Sequence, residues 1–249
     1  MAILNQKGGV GKTTLTLGLA SAAASAGRRV LVVDLDPQAS TTWVLGLESS
    51  ELDGTVADVL DGSAKIASVV RTSTWSDLIE VVPAAAGLQA QEQGSAKRLR
   101  KGLGKIATEY EAVLVDCPPS LGNLTRSALT ASRFALIVVE PSALGLRGIG
   151  GVADLVDDVW DATNPDLELG GVILNRVPAV SREAERRIAE LARIVGRESI
   201  WEPAIPQRVI LNQAIGERSS IHSYGSRAGD ILPAFDLLWR QTRAMVHHR

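Results

Sequence analysis

The chain is predicted to be an α/β protein with a doubly wound, mostly parallel sheet and helices on both faces. Three observations lead there. Short apolar, β-branched runs recur along the 249 residues, each too brief for a typical helix and each bounded by turn residues. Longer segments with helical spacing separate most of them. The runs are apolar throughout rather than alternating, which suits strands covered on both faces, and right-handed crossovers then make the sheet largely parallel.

In order, "AILN" is the first strand, followed by a glycine-rich loop and a helix with Leu15, Leu19 and Ala22 on one face. "RVLVVD" is the second strand. Residues 46–75, rich in Gly, Ser, Asp and Thr, read as loop with a short helix. "LIEVVP", "AVLVDCP" and "FALIVVEP" are further strands, and Val152, Leu155, Val156 and Val159 mark a helix before the strand "LGGVILNRV". "SREAERRIAELARIVG" is a helix with Ile188, Leu191, Ala192 and Val195 inward. The last helix, in "ILPAFDLLWRQTRAMVHHR", is expected to pack Phe235, Leu238 and Trp239 into the core, leaving His247, His248 and Arg249 as a frayed tail. The length suits a single domain over residues 1–249.

Composition narrows the function classes. With 45% hydrophobic and 22% charged residues the chain is neither disordered nor fibrous. A net charge of −2 excludes attachment to nucleic acid by bulk charge and leaves room for a local patch. Cys117 is the sole cysteine, so an internal disulfide or a multi-thiolate metal site is excluded, and a reducing, cytoplasmic setting is expected. Its thiol reads as a small packed group rather than a reactive one. No apolar run approaches the roughly 18 residues of a membrane span, and the N-terminus lacks the order of a signal peptide.

Chemistry concentrates after the first strand. In "QKGGVGKTT" the glycines free backbone N–H groups to face phosphate oxygens, and the following helix adds its positive N-terminal end. Lys12 is placed to reach β- and γ-phosphates, and the Thr13 hydroxyl to bind Mg²⁺. That is P-loop chemistry with a departure: Gln6 stands where the first glycine of the usual pattern belongs, and Lys7 follows it.

The segment resembles the deviant Walker A motif, K-G-G-x-G-K-[ST]-T, of the ParA/MinD family of ATPases. The resemblance implies that ATP is held by Lys7, Gly8, Gly9, Val10, Gly11, Lys12, Thr13 and Thr14, and that Lys7 reaches the ATP of a second subunit in a nucleotide-sandwich homodimer. It makes "DLDPQAS" the switch that follows, with Asp34 near hydrated Mg²⁺ and Asp36 orienting the attacking water. Alternation along an extended chain is expected to put these two acids on one side. "AVLVDCPPS" becomes the Walker B strand, with Asp116 holding Mg²⁺ through water; Pro118 and Pro119 stiffen its exit, and this form is closer to ParA than to MinD. The catalytic set is thus Lys7, Lys12 and Asp36, and the metal set Thr13, Asp34 and Asp116. Ser127 stands where many relatives have Asn. Asn175 and Pro206 match the residues that meet adenine.

Family outputs differ, and the resemblance implies a choice. ParA-type members bind DNA non-specifically as ATP dimers, for DNA segregation or cargo positioning, and let go when a ParB-like partner stimulates hydrolysis; such a protein is cytoplasmic and nucleoid-associated. MinD-type members bind membrane through a C-terminal amphipathic helix, the alternative here. From Arg176 onward there are 12 Arg, no Lys and 8 acids, which favours DNA. Arg187, Arg208 and Arg218 are the DNA candidates, with Arg208 displaced by one position in "IPQRVI" and Ile210 where a basic residue is common. The chain begins on its first strand, so no helix-turn-helix domain is expected. An ATP-dependent amidotransferase or ligase is a further class, and one cysteine excludes a cluster-bridging iron protein.

Overall fold

The structure is a computed structural model describing residues 1–247; His248 and Arg249 of the expected tail lie outside the described residues. Along the chain run β1 (Ala2–Leu4), α1 (Lys12–Ser25), β2 (Val30–Asp34), α2 (Ser40–Val44), α3 (Val56–Asp61), α4 (Ile66–Val69), β3 (Arg71–Ser73), β4 (Ser76–Val82), α5 (Lys97–Leu103) and β5 (Ala112–Asp116). Then come α6 (Asn123–Ala131), β6 (Phe134–Val139), α7 (Ala143–Arg147), α8 (Ile149–Ala162), β7 (Glu168–Leu174), α9 (Arg182–Val195), β8 (Ile200–Trp201), α10 (Val209–Gly216) and α11 (Ile231–His247).

The strands form one sheet in the order β3-β4-β2-β5-β1-β6-β7-β8, parallel throughout except for the antiparallel pair β3 and β4. Because each inner strand is apolar on both sides, alternate residues feed two separate cores. Leu31, Val33, Ala135 and Ile137 face α3, α5, α6 and α8, whereas Val30, Val32, Leu136 and Val138 face α1, α10 and α11. The predicted doubly wound architecture is the one observed.

Residues 46–75 hold more order than one short helix, since α3, α4 and β3 all lie there. α3 starts at a capping box in which Thr55 and Asp58 exchange side-chain and backbone hydrogen bonds. α11 packs on α1 as expected: Phe235, Leu238 and Trp239 are buried, and the Phe235 ring lies so close to Gly18 that a Cβ there would sit 2.1 Å from it. His247, expected to fray, is the last residue of α11, with its Nε2 2.9 Å from Glu111 Oε1. Among the described residues no helix is long and apolar enough to cross a membrane.

Candidate active site

β1 lies between β5 and β6, so the loop after it emerges at the carboxyl end of the sheet with a strand on either side, where ligands of open parallel sheets bind. Asn5 anchors the loop. Its Nδ2 donates to the Val138 carbonyl (2.6 Å) and its Oδ1 accepts from the Lys7 N–H (2.9 Å). Gly8 lies beside Pro119 of the Walker B exit. Gly9 and Gly11 both take positive φ, +77° and +94°. At Gly11 a second constraint applies: a Cβ there would fall 1.9 Å from Asn175 Nδ2, which donates to the Val10 carbonyl at 2.7 Å. Only glycine meets both conditions. α1 opens at Lys12 with no side-chain cap, leaving its first N–H groups and its positive end to the loop.

The two lysines have opposite surroundings. Lys12 is 6% exposed, its Nζ 3.5 Å from the Lys7 carbonyl; burial lowers its pKa, and the neighbouring Asp116 charge opposes that. Lys7 stands at the rim, Nζ 3.3 Å from Glu140 Oε2 and 3.5 Å from Ser142 Oγ, with 30% of its side chain exposed. One ammonium faces inward and the other outward.

Asp34 and Asp116 are partners in the β2–β5 register and both are buried. Asp116 Oδ2 accepts from Thr13 Oγ1 (2.7 Å) and Thr41 Oγ1 (2.6 Å), while its buried Oδ1 has no partner among the described residues. Burial raises its pKa to about 6 against the pull of those hydroxyls and of Lys12. Asp34 is raised to about 7, by burial first and then by the Asp116 charge. Its Oδ2 accepts from the Thr42 N–H and hydroxyl (2.8 and 2.7 Å) and its Oδ1 from the Asp36 N–H (3.1 Å). The alternation expected to align Asp34 with Asp36 does not extend that far. β2 ends at Asp34, and the chain then turns, with Asp36 half-buried and its Oδ1 accepting from the Gln38 N–H at 2.9 Å. Cys117 is fully buried, and burial followed by the Asp116 charge pushes its thiol far up, as fits a packed group.

The residues present fit a hard divalent cation that arrives with a polyphosphate. The spare Asp116 Oδ1 beside the Thr13 hydroxyl supplies oxygen donors, and no group of three or more His, Cys, Asp or Glu able to hold a metal exists among the described residues. Mg²⁺ is bound in that manner, by few protein oxygens together with substrate phosphates.

A family model described as an AAA domain matches residues 1–169 of the chain. The sporulation initiation inhibitor protein Soj of Bacillus subtilis is 34% identical over 234 residues, covering 92% of each chain. The chain belongs to the ParA/MinD family of P-loop ATPases. Among solved structures, a Mycobacterium smegmatis cobyrinic acid a,c-diamide synthase with bound ATP analogue and magnesium is 32% identical, with a TM-score of 0.76 over 87% of this chain and 90% of that one. Apo McdA of Cyanothece, 22% identical, shares the fold with a TM-score of 0.87 over 97% of this chain and 98% of its own.

Within this ParA/MinD ATPase the remaining expected residues fall in two groups. Asn175 is 1% exposed and touches the loop itself, its Oδ1 unpartnered among the described residues; Pro206 is half-buried and bridges to Val177 on the segment after β7. Ser127 donates to the Asn123 carbonyl of its own helix at 2.8 Å. The three candidate DNA arginines are each paired with an acid of the same chain. Arg187 meets Glu183 and Glu190, both at 2.7 Å; Arg208 meets Asp230 at 2.5 Å; Arg218 meets Glu48 at 2.5 Å.

Sequence reasoning passed over Asn5, Thr41, Thr42 and Glu140. A signal existed for the last: Glu140 follows β6 as Asp34 and Asp116 end β2 and β5, an acid at a strand's carboxyl end. The "STT" hydroxyls after "DPQA" carried none, because only the fold brings Thr41 to Asp116, 75 residues away.

Proposed function

We propose that this ATPase is a ParA-type partitioning or positioning switch: it binds ATP with Mg²⁺, closes as a sandwich homodimer over two nucleotides, holds DNA without sequence preference, and releases it when a ParB-like partner stimulates hydrolysis. The observation that carries this reading is the division between the lysines. An inward Lys12 serves the nucleotide of its own subunit. Lys7, on the same loop but at the rim, can serve a neighbour's, because about a third of each side chain in the Lys7–Glu140 pair is exposed and such a single 3.3 Å contact can be exchanged for phosphate. Two stacked triphosphates need added positive charge, so a lysine supplied across the interface makes dimerisation depend on nucleotide.

In this reading the loop from Lys7 to Thr14 wraps the phosphates, and Asn175 and Pro206 border the base. Thr13 and, through water, Asp116 and Asp34 would hold Mg²⁺, which would supply positive charge to the phosphates. Asp36 orients the water whose oxygen attacks the γ-phosphorus as the bond to the ADP oxygen breaks; such catalysis is mainly positioning and charge stabilisation. Arg187, Arg208 and Arg218 meet DNA by exchanging a carboxylate for a phosphate. The apolar face of α11 is spent on α1, which supports DNA over a membrane surface as the second ligand.

Binding of ATP-loaded protein to DNA, with size measured in parallel, tests the switch. Lys7→Ala is expected to abolish dimerisation and DNA binding, and Asp36→Ala to trap the DNA-bound dimer. A wild-type protein that stays monomeric with a non-hydrolysable triphosphate overturns the reading. The likeness to a diamide synthase favours ATP-driven amide formation as the second reading; ATP turnover stimulated by a carboxylic acid with an amide donor, and indifferent to DNA, would select it.

A further inference from the structure

Three consecutive residues of α2 reach three different places. Thr41 is fully buried and donates to Asp116 Oδ2. Thr42, equally buried, donates to Asp34 Oδ2 and accepts the Ala84 N–H at 2.8 Å. Trp43 turns outward, 41% exposed, with the Arg218 guanidinium 5.0 Å from its ring centroid. Arg218 is held there from two further sides, by its ion pair with Glu48 and by Trp75 Nε1, which donates to the Arg218 carbonyl at 2.8 Å. A helix of little more than one turn moves as a unit, so a shift at Thr41 is felt at Trp43.

Backbone strain marks both ends of this path. Ala39, which precedes α2, has φ +53°, and Arg218 has φ +51°; only Arg176 shares a positive φ among the other described non-glycine residues. A left-handed residue with a Cβ is strained and persists where its surroundings over-determine it, typically at sites of switching.

We propose that Thr41 is a positioning residue for the Asp116 carboxylate, and that α2 carries a shift of that carboxylate on Mg²⁺–nucleotide loading to the Trp43–Arg218–Glu48 cluster. The proposal rests on the nucleotide reading given above. Thr13 and Thr41 both donate to Asp116 Oδ2, one from α1 and one from α2, so a carboxylate that turns toward a cation ligated by the Thr13 oxygen pulls on α2 through Thr41. Turning of the carboxylate draws Thr41 with it and moves Trp43 under the Arg218 guanidinium, the one DNA candidate that touches an element hydrogen-bonded to the site. Loading thereby alters the cation offered to a phosphate backbone.

Tryptophan emission of the full chain, read beside binding of a fluorescent ADP, tests this. Mg²⁺ with ADP should change the emission of wild type, ADP with a chelator should not, and Trp43→Phe should lose the change. Thr41→Val should raise the Mg²⁺ midpoint for nucleotide binding by about tenfold or more, the usual scale for a group that orients a metal ligand, and suppress the Trp43 signal. Thr41→Ser should restore both. Nucleotide binding with an unaltered Mg²⁺ midpoint and an intact Trp43 signal in Thr41→Val overturns the coupling while leaving the nucleotide reading in place. Wild type that binds no Mg²⁺–ADP overturns the nucleotide reading itself.

Discussion

At the carboxyl end of the sheet Lys12 is 6% exposed and faces a buried carboxylate, whereas in the C-terminal third Arg187, Arg208 and Arg218 sit on the surface, each against an acid of its own chain. Buried charge is costly without a partner, so the first region had to be assembled with its hydroxyls, backbone donors and opposite charges in place. Exposed pairs contribute about 0–1 kcal/mol and can be traded. The carboxyl end of the sheet is therefore assembled in advance, whereas the arginine pairs can be exchanged for another anion.

The largest effect is expected where the contrast is sharpest. Lys12→Ala strips Asp116 of its nearby cation, and nucleotide affinity should fall by about 3 kcal/mol or more, roughly a hundredfold, in equilibrium binding. A smaller loss would mean that this lysine is no more committed than the surface arginines. Gly11→Ala comes next. Its Cβ meets both a left-handed backbone and the Asn175 amide, so the urea midpoint should report a loss of about 1–3 kcal/mol; adding Asn175→Ala should recover the clash but not the strain.

The carboxylates set a pH dependence of intermediate size. Asp34 and Asp116 are raised to about 7 and about 6, so from roughly pH 4 to 7 the folded chain binds more protons than the unfolded one. Their contribution to the stability of the ligand-free protein is complete below the unfolded carboxylate pKa and is lost as pH rises through the folded values. Melting temperatures should therefore show this contribution shrinking between about pH 5 and 7.5, while the stabilisation by Mg²⁺–ADP, which favours the charged carboxylates, grows over the same interval. Parallel behaviour with and without nucleotide would separate the acids from the site. Arg208→Ala should be the mildest. A change in stability within about 0.5 kcal/mol is expected, together with a salt slope of DNA binding lower by about one. A large stability loss would place Arg208 with the buried charges instead.

Six of the eight strands were legible because each is an apolar run closed by turn residues. The others were not. β3, Arg71–Ser73, and β8, Ile200–Trp201, are edge strands of three and two residues, defined by the neighbour each pairs with rather than by a pattern of their own. The site divides likewise. The loop from Lys7 to Thr14 and the acids Asp34 and Asp116 could be read from residue type and position at strand ends. Thr41, Asn5 and the contact of Asn175 with Val10 depend on partners 75, 133 and 165 residues distant.

By itself the sequence determined the six apolar strands and their order, the glycine-rich loop at the first strand's end and the chemical set around it, because periodicity, turn residues and spacing are local properties of a chain. Tertiary structure alone decided which lysine turns inward, which hydroxyls hold Asp116, and that Arg208 and Arg218 have Asp230 and Glu48 at their sides. Those outcomes depend on burial and on distances between remote segments, and neither exists until the sheet has closed.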